Sequence, residues 1–86
     1  MREISRFYGI VIEMEVGDTP PAHFHASYGG AVALIGIEKS TVFKGRLPPR
    51  ALGLVVEWSS LRRKELRQAW RRGQNAEDLG TIAPLE

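Results

Sequence analysis

The sequence predicts an α+β fold, a small antiparallel meander of about four strands packed against one long C-terminal helix. Three observations predict it. Apolar residues alternate at period two through the first half of the chain. The breaks between those runs are short and rich in Gly and Pro, which suits antiparallel neighbours, because a parallel crossover needs a dozen residues or more. From Pro49 onward the apolar period lengthens to that of a helix.

The first strand is placed at about residues 6–16. Tyr8, Ile10, Ile12, Met14 and Val16 fall on one face, and Gly9 marks a bulge or a close approach of backbone. Gly17-Asp18-Thr19-Pro20-Pro21 breaks the run, with the diproline in extended geometry launching the next strand. That strand, 23–28, sets His23, His25 and Ser27 on the face opposite Phe24, Ala26 and Tyr28. Gly29-Gly30 supplies a hairpin turn. Residues 31–37 are apolar on both faces and read as a central strand, and 41–44 as a short last one.

Pro48-Pro49 opens the helix, expected over 49–72 and stopped by Gly73. Ala51, Leu54, Val55, Trp58, Leu61, Leu66 and Ala69 form its apolar stripe, with Trp70 at the margin. Ser59-Ser60 could cap a second helix, but the apolar phase carries through both serines and favours a single one. The tail, 74–86, brings Leu79, Ile82 and Leu85 and is expected to pack as an extended strap.

Eighty-six residues imply a single domain over 1–86, marginally stable unless it forms homo-oligomers. There is no cysteine, so disulfides and thiolate metal sites are excluded. No apolar run suits a membrane span or a signal peptide, and a soluble cytoplasmic protein with no membrane contact is expected. The net charge of +2 is unevenly spread: residues 1–43 carry −2, residues 44–72 carry +7 and residues 73–86 carry −3. One basic block between two acidic ones gives the surface a directional field.

Four segments resemble one bacterial family: Ile4-Ser5-Arg6-Phe7-Tyr8-Gly9-Ile10-Val11-Ile12, Pro20-Pro21-Ala22-His23-Phe24-His25-Ala26, Tyr28-Gly29-Gly30 and Leu47-Pro48-Pro49-Arg50-Ala51-Leu52. That family is the domain of unknown function 4160 (DUF4160). Trp58 and the Pro84-Leu85 ending fit it too. The resemblance implies no reaction and no cofactor. It does imply a small protein partner, because genes of this kind often lie beside a second small gene of the domain of unknown function 2442 (DUF2442) family, in an arrangement of the toxin–antitoxin kind. This chain departs from the family in its helix, where Leu61-Arg62-Arg63-Lys64 and Ala69-Trp70-Arg71-Arg72 are more basic than is usual.

Two groups of residues carry candidate chemistry. His23 and His25, two apart on a strand, point the same way with about 7 Å between their Cα atoms. They could share one metal ion, with Glu13 or Glu15 of the adjoining strand as third ligand. They could equally exchange protons with a phosphodiester, with Arg6 or Arg50 holding the phosphate. The plainer alternative is that both rings bond nearby backbone. The second group is the basic helix face: Arg63, Lys64, Arg67 and Arg71, joined by Arg72, with Trp70 as an interface anchor. It suits phosphates, an acidic partner or simply water. Arg62 falls inside the apolar stripe and is expected to snorkel or to pair with an acid on the sheet. The function expected is a non-enzymatic interaction module of a two-gene, toxin–antitoxin-like operon that contacts nucleic acid through its basic helix. The alternative is a histidine-dependent, RNase-like phosphodiesterase or a metal-dependent enzyme using His23 and His25.

Overall fold

The computed structural model describes residues 1–86. One antiparallel sheet has the order β1-β2-β3-β4-β5, where β1 is Arg2–Phe7, β2 Ile10–Met14, β3 His23–Tyr28, β4 Ala31–Gly36 and β5 Val42–Gly45. Two helices follow, α1 at Pro49–Leu61 and α2 at Arg63–Gln74. The α+β class and the antiparallel meander stand, but the sheet has five strands rather than four, and there are two helices rather than one long one.

The fifth strand comes from a turn inside the run read as one strand. Tyr8 and Gly9 both have positive φ, 52° and 79°, as a two-residue type I′ hairpin requires. Gly9 is a turn residue, not a bulge. Arg2–Phe7 folds back along β2 and buries Ile4 and Phe7, with a register shift between Glu3 and Ser5. A tyrosine seldom adopts the left-handed conformation, so local propensity does not announce this turn. Tyr8 and Val16, expected on the face of Ile10, Ile12 and Met14, belong instead to turns and are 60% and 46% exposed.

The helix breaks at Arg62, whose φ of −112° and ψ of 20° leave helical geometry. The cause lies just before it. The Ser59 hydroxyl donates to Val56 O and the Ser60 hydroxyl to Glu57 O, one turn back along the helix. Such back-bonding competes with the helical ladder and bends helices. Ala51, Val55, Trp58, Leu66 and Ala69 are still buried on both sides of the bend. Leu61, placed in the stripe by its spacing, is 63% exposed, because it sits at the corner.

Trp58 is the hub of the core. Its ring centroid lies 5.4 Å from that of Phe7 and 5.8 Å from that of Phe24, the latter edge-on, so α1 is keyed to β1 and β3 together. Its Nε1–H donates to Ala83 O at 2.8 Å, and Ile82 N–H donates to Ile4 O at 2.7 Å. These bonds strap the irregular segment 75–86 across the core, with Leu79 and Ile82 buried under it. At the other end α2 is tied to the turn after β2, where Gly17 N–H donates to Gly73 O at 3.1 Å. No helix is long and apolar enough to cross a membrane.

Candidate functional site

Strand alternation turns Phe24 and Ala26 into the core and His23 and His25 to the other face of β3. The two imidazole centroids are 5.5 Å apart. The turn from Gly17 to Pro21, in which the Pro20–Pro21 peptide is cis, folds Asp18 back over them. Oδ2 of Asp18 lies 3.0 Å from Nε2 of His23 and 3.6 Å from Nε2 of His25. Nδ1 of His23 is 2.7 Å from the carbonyl oxygen of Pro21. A carbonyl can only accept, so that nitrogen carries the hydrogen and donates it. His25 Nε2 is buried and makes no hydrogen bond, since 3.6 Å is beyond hydrogen-bond reach.

Burial pushes the Asp18 carboxyl up, but the Thr19 N–H bond at 2.8 Å and the neighbouring imidazoles outweigh it and hold the group below its ordinary range. Over His23 the ring of Phe43 stands edge-on at 5.3 Å and that of Trp70 is tilted at 5.3 Å. These two rings leave His23 only 5% exposed, so it is not on the open face that alternation suggests.

Asp18 is the site residue that no periodicity in the sequence marks. The strand pattern predicts Glu13 or Glu15 as the acid beside the histidines. Glu13 does sit across from His25 in register, but the acid that closes on both rings is Asp18. Glu15 points elsewhere, 3.7 Å from the N-terminal amine. The available signal was an aspartate five residues before His23 in a proline-terminated turn, which returns the chain over the start of its own next strand.

The basic helix face is only partly free. Arg63 turns inward, donating from Nε to Ile37 O at 3.1 Å and from Nη2 to Ser40 Oγ at 3.2 Å. Ser40 Oγ lies 2.6 Å from Ser59 Oγ, so the guanidinium, two hydroxyls and Val56 O form one chain that pins the helix bend to the β4–β5 turn. Arg67 makes a bidentate pair with Glu38 at 2.8 and 2.6 Å. Lys64, Arg71 and Arg72 are exposed. Trp70 is half-buried on His23 instead of standing free as an anchor. Arg62, at the bend between the helices, is half-buried, with Nη1 3.5 Å from Glu65 in the first turn of α2, not from an acid on the sheet. Arg6 is held by Glu3 through bonds of 3.1 and 2.7 Å.

The hydrogen bonds from Arg67 hold the Glu38 carboxyl below its ordinary range, ahead of the opposing desolvation and the supporting charge. A depressed folded pKa contributes stability that is present above the unfolded value and is lost as pH falls through the folded one. Glu38→Gln is therefore expected to flatten a small acid-side step in a stability–pH profile and to lower neutral stability by that same small amount, since the pair is exposed. Chemical denaturation across the acid range checks this.

The main cleft is at the far end of β3 from the histidines. It has a volume of about 630 Å³ and is floored by Ile10, Ala51 and Leu54, with Tyr8, Tyr28 and Arg50 around it. Neither histidine lines it. Tyr8 and Tyr28 come from the two hairpin ends and are 60% and 41% exposed. The N-terminus of α1 has no side-chain cap and no acid in its first turn, so its free N–H groups stay unanswered by side chains beside Arg50.

A five-stranded meander closed by two helices, with an Asp–His–His cluster at one end and a tyrosine-lined cleft at the other, makes a small α+β domain. The chain belongs to the family described as domain of unknown function (DUF4160), which matches residues 9–71. No curated protein and no solved structure matches it.

Proposed function

We propose that the protein is a non-enzymatic interaction module that grips a segment of a small protein partner in the cleft between its hairpin ends and α1. The partner is the product of the neighbouring small gene, of the DUF2442 kind, in a toxin–antitoxin-like pair. The observation that carries this reading is the convergence of Tyr8 and Tyr28, both exposed, on one cleft with Arg50. Tyrosine and arginine are the residue types that dominate binding energy at protein interfaces. Glu57 and Glu86 line the cleft together with Arg50, so it offers charges of both signs around an apolar floor.

Contact with nucleic acid through the helix belongs to the same reading in reduced form. Lys64, Arg71 and Arg72 are its free cations, while Arg63 and Arg67 are engaged within the fold. Each remaining phosphate contact would weaken with salt.

Binding to the neighbouring gene's product, measured by calorimetry, tests the cleft. Tyr8→Asn with Tyr28→Ser is expected to weaken it by about 30-fold or more, the scale of an interface hot spot. Asparagine keeps the positive φ that the turn needs, so the hairpin survives the change. Lys64→Glu with Arg71→Glu is expected to leave protein binding unchanged. Equal affinity in the tyrosine variant overturns the reading.

A further inference from the structure

We propose that Asp18, His23 and His25 form a mononuclear site for a divalent first-row transition ion of the zinc or ferrous class, bound through Oδ2 of Asp18 and Nε2 of both histidines. The site lies at the opposite end of β3 from the cleft, so it stands or falls independently of the interaction just described.

Four observations converge on it. Three ligand atoms lie within 4.8 Å of one another. The two distances to Asp18, 3.0 and 3.6 Å, bracket the roughly 3.3 Å that separates ligands on a tetrahedral ion with bonds of about 2.0–2.1 Å. The Nδ1–H of His23 is spent on Pro21 O, so the neutral ring presents the lone pair of Nε2 to Asp18. Histidine ligands characteristically donate their second nitrogen in this way. Two electron-rich atoms at 3.0 Å need a cation between them, either a proton or a metal ion. A proton on His23 answers only half of the geometry. It leaves His25 Nε2, buried and unbonded, 3.6 Å from the same oxygen. A metal ion drawing on all three atoms answers both.

The ligand chemistry sets the ion class. Two imidazoles and one carboxylate suit zinc, iron, cobalt or nickel and not magnesium or calcium, which prefer oxygen alone. Phe43 and Trp70 shield the His23 ring on its other sides, and such a shell keeps water from competing for the ligand. Three protein ligands leave at least one position for water, as in open zinc sites. The bound ion would fasten the Gly17–Pro21 turn to the start of β3.

The test uses the full chain without a histidine tag, stripped with chelator and titrated with Zn²⁺ and with Co²⁺. One ion per chain is expected, with visible d–d absorption for Co²⁺ and shifts of the His23 and His25 ring-nitrogen resonances on adding Zn²⁺. His25→Ala and Asp18→Asn are each expected to weaken Zn²⁺ binding by at least about 100-fold, since even outer-shell partners of a metal ligand account for 10–100-fold. Glu13→Gln and Glu15→Gln are expected to bind as wild type does. Asp18→Asn alters only a turn side chain, so it decides the matter if His25→Ala does not fold. Failure of the wild-type chain to take up Zn²⁺ stoichiometrically overturns the proposal. So does uptake that Asp18→Asn leaves unchanged.

Discussion

Trp58→Ala is expected to cost about 3–5 kcal/mol, the range for deleting a large aromatic side chain from a packed core. Folded domains have only about 5–15 kcal/mol in total, and a chain of 86 residues falls toward the low end, so the variant should be largely unfolded at mild temperature. The size of the effect follows from where the ring sits. It is fully buried, meets Phe7 of β1 and Phe24 of β3, and holds the tail through Ala83 O. Removing it opens a cavity where α1, the sheet and the tail meet. Urea denaturation should show a lower midpoint with little change in slope. Trp58→Phe separates the two roles: it keeps most of the packing but loses the Nε1–H donor. Faster amide exchange at Ile82, next to the orphaned carbonyl, is then expected. A Trp58→Ala midpoint close to wild type would show that the core closes without this ring.

Gly45→Ala is expected to destabilise by about 2–6 kcal/mol, from two causes that add. Gly45 has φ of 76°, and a left-handed non-glycine residue costs about 1–3 kcal/mol. An added Cβ would also collide with the Val32 carbonyl oxygen and come within 3.2 Å of Ala33 Cα, both backbone atoms of β4. Overpacking of this kind costs about 1–3 kcal/mol more. β4 cannot retreat, because it is paired on its other side with β3. Val32 O also accepts the Arg46 N–H at 3.2 Å, so the collision disturbs the chain's exit from the sheet toward α1. Gly17→Ala is the control. Its φ is also 76°, but nothing lies within 4 Å of the added carbon, so it carries the conformational cost alone. Midpoints from parallel denaturation curves give the difference between the two. Equal losses would mean that the sheet yields to the methyl group.

The chain folds as an α+β meander for reasons that are local. Side-chain period, the Gly29-Gly30 turn and the prolines at 20–21 and 48–49 act over a few residues, and those are the ranges a sequence displays. The places where local reasoning fails are equally specific. Tyr8 takes a conformation its type seldom adopts, so period alone runs the first turn into one continuous strand. Ser59 and Ser60 keep the apolar phase while bending the backbone, so the period shows one helix where the fold has two.

The candidate sites divide along the same line. That His23 and His25 share a face follows from the pleat of a strand and was visible in their spacing. Which acid joins them was not, because Asp18 reaches the rings through the path of a turn and not through any period. The same holds for the basic residues. Their spacing of four aligned Arg63, Arg67 and Arg71, yet Ile37 O and Glu38 claim the first two from 26 and 29 residues away. Backbone periodicity is therefore enough to set the layers and most of the inward faces of this domain, Tyr8, Val16 and Leu61 being the exceptions. Which polar groups meet, and which stay free to bind something else, depended on contacts between distant segments, since an ionic or hydrogen-bonding side chain pairs with whatever the folded chain brings within about 3 Å.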